Sequence, residues 1–112
     1  MPPRDWQLRI RDILDSIATI QEYVGDMDEE AFKADRKTVD AVVRHFISIG
    51  EASSNIPAAI SDLHPEIPWR LMRDMRNVVV HAYFGVRVDV LWGTVRDDLP
   101  PLVPGLQKLL ST

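Results

Sequence analysis

Apolar residues recur at steps of three and four along almost the whole chain. Trp6, Ile10, Ile13, Leu14, Ile17, Ile20 and Val24 form the first such stripe, which predicts an amphipathic helix of about five turns. Asp5 stands where an N-cap is wanted and Gly25 where the helix should end. Asp28, Glu29 and Glu30 then open a short acidic helix around Phe32, after which Val39, Val42, Val43, Phe46, Ile49, Gly50 and Ser53 mark a second long stripe. It stops at Pro57, because the residue before a proline is driven out of the α region. Residues 57–67 carry Pro57 and Pro65 and run into Pro68, so they read as a connection with one helical turn at most. Pro68 suits the first position of a third long helix, whose buried face is Leu71, Met72, Met75, Val78, Val79 and Ala82 and whose end is expected at Gly85. A fourth stripe begins near Asp89 with Val88, Leu91, Trp92, Val95 and Leu99, and continues past Pro100 and Pro101 through Leu102, Val103, Leu106, Leu109 and Leu110. No strand pattern of similar length competes. The expected fold is all-α, an antiparallel bundle of four main helices with a proline-interrupted last helix.

Composition narrows the chemistry. The 112 residues include no cysteine, which removes disulfides, thiolate metal sites and cysteine nucleophiles, and fits a reducing, cytoplasmic compartment. The charged N-terminal segment has no apolar run of a secretory signal, and no stretch approaches the roughly 20 apolar residues of a membrane span. His45, His64 and His81 fall in three separate segments with no metal-ligand spacing, and the five glycines are not clustered as a phosphate loop would need. Neither a metal nor a cofactor is expected.

Charge is unevenly placed. Residues 67–87 hold Arg70, Arg73, Arg76 and Arg87 against Asp74 alone, a local +3 in a chain of net −4, which leaves −7 for the remainder. Such a distribution draws an anion to one locus and disfavours broad nucleic-acid binding. Within that window Arg73, Asn77 and His81 are spaced by four, so successive side chains lie about 40° apart and share a helical face. Arg76 and Tyr83, seven apart, share another. Arg76 and His81 are five apart, about 140° around an ideal helix, so both reach one phosphate only through the length of the arginine, a local departure from α geometry, or a second copy of the helix. Asp74 is expected to offset Arg73. The cluster also fits an ordinary helix surface with a histidine near the C-terminal end, where a cation is favoured.

Arg76, His81 and Tyr83 spell R-x4-H-x-Y, and this resembles the signature of the HEPN superfamily in its HepT-like toxin branch. The likeness extends to Ile49-Gly50-Glu51-Ala52, Ile67-Pro68-Trp69, Tyr83-Phe84-Gly85-Val86, Trp92 and Asp98-Leu99-Pro100, nearly the whole chain, so residues 1–112 are expected to form a single HEPN-like helical domain. The resemblance implies a metal-independent endoribonuclease toxin, a homodimer that cleaves RNA in a cleft at its two-fold interface. It implies Arg76 and His81 as catalytic with Asn77 as their support, and Arg73, on the face shared with Asn77 and His81, is expected to contact RNA. It further implies, as antitoxin, a minimal nucleotidyltransferase that adenylylates Tyr83. The competing expectation is a noncatalytic helical docking or substrate-binding partner of a nucleotidyltransferase. Glu51, Trp69 and Trp92 are expected to be structural.

Overall fold

The computed structural model describes residues 5–83 and 87–111, with the side chains of residues 79–83 left out of that description. Helix α1 spans Asp5–Val24, and its buried positions Ile10, Ile13, Ile17, Ile20 and Val24 step by three and four as the sequence requires. It ends at Gly25, whose φ of 51° lies in the left-handed region that only glycine enters without strain. Two aspartates start the next helices. Asp28 accepts from the Ala31 amide at 2.8 Å ahead of α2, Glu29–Ala34, and Asp35 accepts from the Thr38 amide at 3.1 Å ahead of α3, Arg36–Ser54. The amide donated by Thr38 holds the Asp35 carboxyl below its usual range.

Helix α3 ends before Pro57, and one turn, α4 at Ala58–Ser61, interrupts the connection. Helix α5 then covers Trp69–Tyr83 with Pro68 immediately before it. The expected end at Gly85 lies outside the described residues. After α6, Val88–Gly93, the chain departs from the expected continuous helix: Thr94–Asp98 form a π turn, in which Leu99 donates to the Thr94 carbonyl at 3.1 Å, and only then does α7, Leu102–Leu110, begin. Pro100 and Pro101 lack the N–H groups that would serve carbonyls four residues earlier, so the backbone widens before it stops.

The long helices pack in chain order, α1 on α3 and α3 on α5, while α7 returns to α1 and α2 wedges between α3 and α6. Their stripes merge into one core in which Phe32, Phe46, Met72, Met75 and Leu99 are almost wholly buried. The all-α bundle with a proline-interrupted final segment is thus the fold adopted. Both expected structural tryptophans belong to it: Trp69 is buried and donates its indole N–H to the His64 carbonyl at 3.0 Å, and Trp92 packs its ring 5.1 Å from that of Phe32.

Candidate active site

Helix α5 carries the polar set, and its own sequence decides which side faces out. Trp69, Met72 and Met75 are buried, whereas Arg70, Arg73, Asp74, Arg76 and Asn77 are exposed. The helix is α throughout Trp69–Tyr83, so the local departure from α geometry that would have drawn positions 76 and 81 together is absent. Arg73 and Asn77 therefore share one exposed face, and Arg76, exposed as well, lies about 60° from the first and about 100° from the second around the same helix, whose backbone continues through His81 and Tyr83. The side chains of His81 and Tyr83 lie outside the described residues.

The arginines differ in surroundings. Arg70 pairs with Asp74 at 3.8 Å, four residues on, with both side chains largely in solvent; a pair of that kind contributes little. Asp74, expected to offset Arg73 locally, makes its ion pair with Arg70, one turn before it on the helical period. Arg73 donates from Nε to the Trp69 carbonyl at 3.4 Å. Arg76 has no carboxylate partner among the described residues. It sits four residues after Met72, only about 40° from the buried stripe, so its aliphatic stem runs along α3 at Gly50 while the residue as a whole stays exposed. An arginine laid on apolar backbone with its head in solvent is the usual compromise for so long a side chain.

Gly50 is the residue that spacing alone does not single out. It occupies a buried position in the middle of the α3 stripe, between Phe46 and Ser53. A small residue amid large ones in a long helix is the signal, and only the α3–α5 crossing gives it meaning.

Polar groups also gather away from α5. A cavity of about 350 Å³ opens between α1 and α3, lined by Asp12, Asp15 and Glu51 together with Arg9, His45 and Ser48. His45 Nδ1 lies 3.3 Å from the Ser16 hydroxyl, and its ring meets the edge of Tyr23. Glu51, expected to be structural, is exposed at this rim. None of the expected site residues lines the cavity, and its acidic wall is unsuited to a phosphate. Among the described residues no group of three or more His, Cys, Asp and Glu is placed to hold a metal ion, and no helix is long and apolar enough to cross a membrane.

The arrangement on α5 suits a polyanion: Arg70, Arg73 and Arg76 are all exposed, of these only Arg70 has a carboxylate partner among the described residues, and Arg76 lies against the neighbouring helix. Comparison with known proteins gives the family. A family model described as ribonuclease HepT-like matches residues 13–109. A probable ribonuclease HepT of Thermococcus cleftensis is 49% identical over 100 residues, 89% of this chain and 91% of that protein. A putative RNase of Methanocaldococcus jannaschii is 31% identical over 111 residues, 99% of this chain and 92% of that protein. A putative RNase of Caldanaerobacter subterraneus is 31% identical over 99 residues, 88% of each chain. No solved structure matches. With a family model covering nearly its whole length and relatives of this identity aligned over most of both chains, the chain belongs to the ribonuclease HepT-like family.

Proposed function

We propose that the chain is a metal-independent endoribonuclease acting as the toxin of a toxin–antitoxin pair in the cytoplasm. The observation that carries this is the R-x4-H-x-Y set on one uninterrupted helix, α5, with Arg76 exposed and without an ion-pair partner among the described residues. The names of the relatives support RNA as the substrate.

The residue types fit transesterification of an RNA phosphodiester. A base takes the 2′-hydroxyl proton, the 2′-oxygen attacks phosphorus, the bond to the 5′-oxygen breaks, and an acid protonates that oxygen. Histidine side chains ordinarily titrate near pH 6.5 and serve in either role at neutral pH. His81 is assigned this proton transfer. The guanidinium of Arg76 meets the phosphate oxygens with two parallel N–H donors and stabilises the charge that grows on them. Asn77, one turn before His81, orients the imidazole, and Arg73 holds a flanking phosphate.

The 140° between positions 76 and 81 on a regular helix is the reason for a homodimer. Two copies of α5 across a two-fold axis offer an arginine from one chain and a histidine from the other to one phosphate. Tyr83 is assigned to control: adenylylation by a minimal nucleotidyltransferase antitoxin would add about one negative charge and a nucleotide beside Arg76 and His81, occupying the cations that RNA needs.

Cleavage of RNA in excess EDTA, with 2′,3′-cyclic phosphate or 3′-phosphate and 5′-hydroxyl ends, is the expected result. Activity abolished by chelator and restored by a divalent ion would overturn the metal-free mechanism. Absence of cleavage by a folded dimer that binds a nucleotidyltransferase would instead identify a docking partner.

A further inference from the structure

We infer that Gly50 is a positioning residue for Arg76, holding its guanidinium in place from the neighbouring helix; this rests on the reading of Arg76 as the cation that meets RNA phosphate. The glycine is not there for its backbone freedom, since Gly25 alone among the described glycines has positive φ. Space is the reason. A Cβ at position 50 would collide with Arg76 Cγ and stand 3.0 Å from its Cδ, yet only 3.6 Å, an ordinary contact, from the Arg73 carbonyl oxygen. The α5 backbone would thus tolerate an alanine at position 50. The Arg76 stem would not, and because the collision falls near its root, the whole side chain must leave its rotamer.

The floor under Arg76 is fastened. The hydroxyls of Ser53 and Ser54 both donate to the Gly50 carbonyl, at 3.0 and 2.8 Å. Those bonds keep the last turns of α3 regular, and moving α3 away from α5 would unpack Ile49 and Ala52 beside Gly50 and Met72 and Met75 opposite, all buried, so Arg76 is the part that moves. Among the described residues no carboxylate pairs with this side chain to hold it instead. A guanidinium that must meet a phosphate with two parallel donors needs such a fixed root, since a displacement of about 1 Å is enough to lose most of the benefit.

A double-mutant cycle tests this. In an ordinary helix interior glycine to alanine is stabilising, equivalent to a rise in melting temperature of about 2–4 °C for a chain of this length. Gly93→Ala, with nothing within 4 Å of its added Cβ, should show that rise and leave RNA cleavage unchanged. Gly50→Ala should show no rise and lose at least roughly tenfold in cleavage. In the Arg76→Ala background, where the stem is gone, Gly50→Ala should recover the 2–4 °C rise and change residual cleavage no further. A Gly50→Ala chain that fails to fold but is rescued by Arg76→Ala would support the inference equally. Equal melting shifts in both backgrounds, failure of the double variant to fold, or equal losses of cleavage in both would overturn it. If the wild-type chain cleaves no RNA, the catalytic part falls together with the reading it rests on, and the melting cycle still decides whether Arg76 rests on Gly50.

Discussion

Replacing Arg76 by alanine should separate chemistry from stability, because its packing and its proposed role imply effects of very different sizes. The side chain is exposed and lacks an ion pair among the described residues; what it loses on truncation is the partial cover of two methylenes lying along Gly50. At about 0.8 kcal/mol per fully buried CH₂, and with more than a third of the residue in solvent, the loss is below about 1 kcal/mol, offset by the slightly better helix propensity of alanine. For a chain of this length 1 kcal/mol corresponds to about 4 °C, so Arg76→Ala should melt within roughly 4 °C of wild type. Removing one charged donor to a developing oxyanion typically lowers the rate about 10²–10³-fold, and RNA cleavage should fall by that order. Met75→Ala supplies the contrast. Its side chain is 1% exposed, truncation of such a residue costs about 2–5 kcal/mol, and melting should drop by roughly 8–20 °C. Melts by circular dichroism and single-turnover cleavage of a labelled RNA, at a temperature where every variant is folded, give both numbers. An Arg76→Ala chain that melts as early as Met75→Ala, or cleaves as fast as wild type, refutes the assignment.

Three further outcomes are expected. Light scattering should give about twice the 12.8 kDa of one chain, and a monomer that still cleaves RNA would remove the composite cleft. Tyr83→Phe should cleave RNA, gain no adenylate mass from the partner nucleotidyltransferase and ATP, and escape inhibition, since a phenol titrating near pH 10 is a poor base at neutrality; an inactive variant, or one still labelled, would defeat the switch. Asp35, whose carboxyl is held below its ordinary value by the Thr38 amide, contributes stability that is present above the ordinary carboxylate range and lost as pH falls through the depressed value. The melting difference between wild type and Asp35→Ala should accordingly be full at neutral pH and shrink below about pH 4, and a difference independent of pH would contradict the capping role.

The helices were legible because burial alone demands their stripes: each buried apolar residue of α1 lies on the period that the sequence displays. The stop at Gly25 was legible for a local reason as well, since a left-handed glycine needs only its own neighbours to act, whereas the side-chain caps at Asp28 and Asp35 were not named from the sequence. The π turn at Thr94–Asp98 was not, since two prolines announce that a helix must end but not how the preceding carbonyls will rearrange. On α5 the motif residues were visible, whereas the pairing of Asp74 with Arg70, four residues away on the helical period, was not drawn from the sequence. Gly50 under Arg76 depends on two helices meeting at one register, 26 residues apart in the chain. No local pattern encodes that.

The central claim is that RNA cleavage resides in the polar flank of α5. The most direct measurement is cleavage of one labelled RNA, in excess EDTA, by wild type and His81→Ala purified side by side. Wild type should produce cyclic-phosphate ends while the folded His81→Ala chain falls by roughly 10²-fold or more; equal cleavage by both would place the activity outside α5 and contradict the claim.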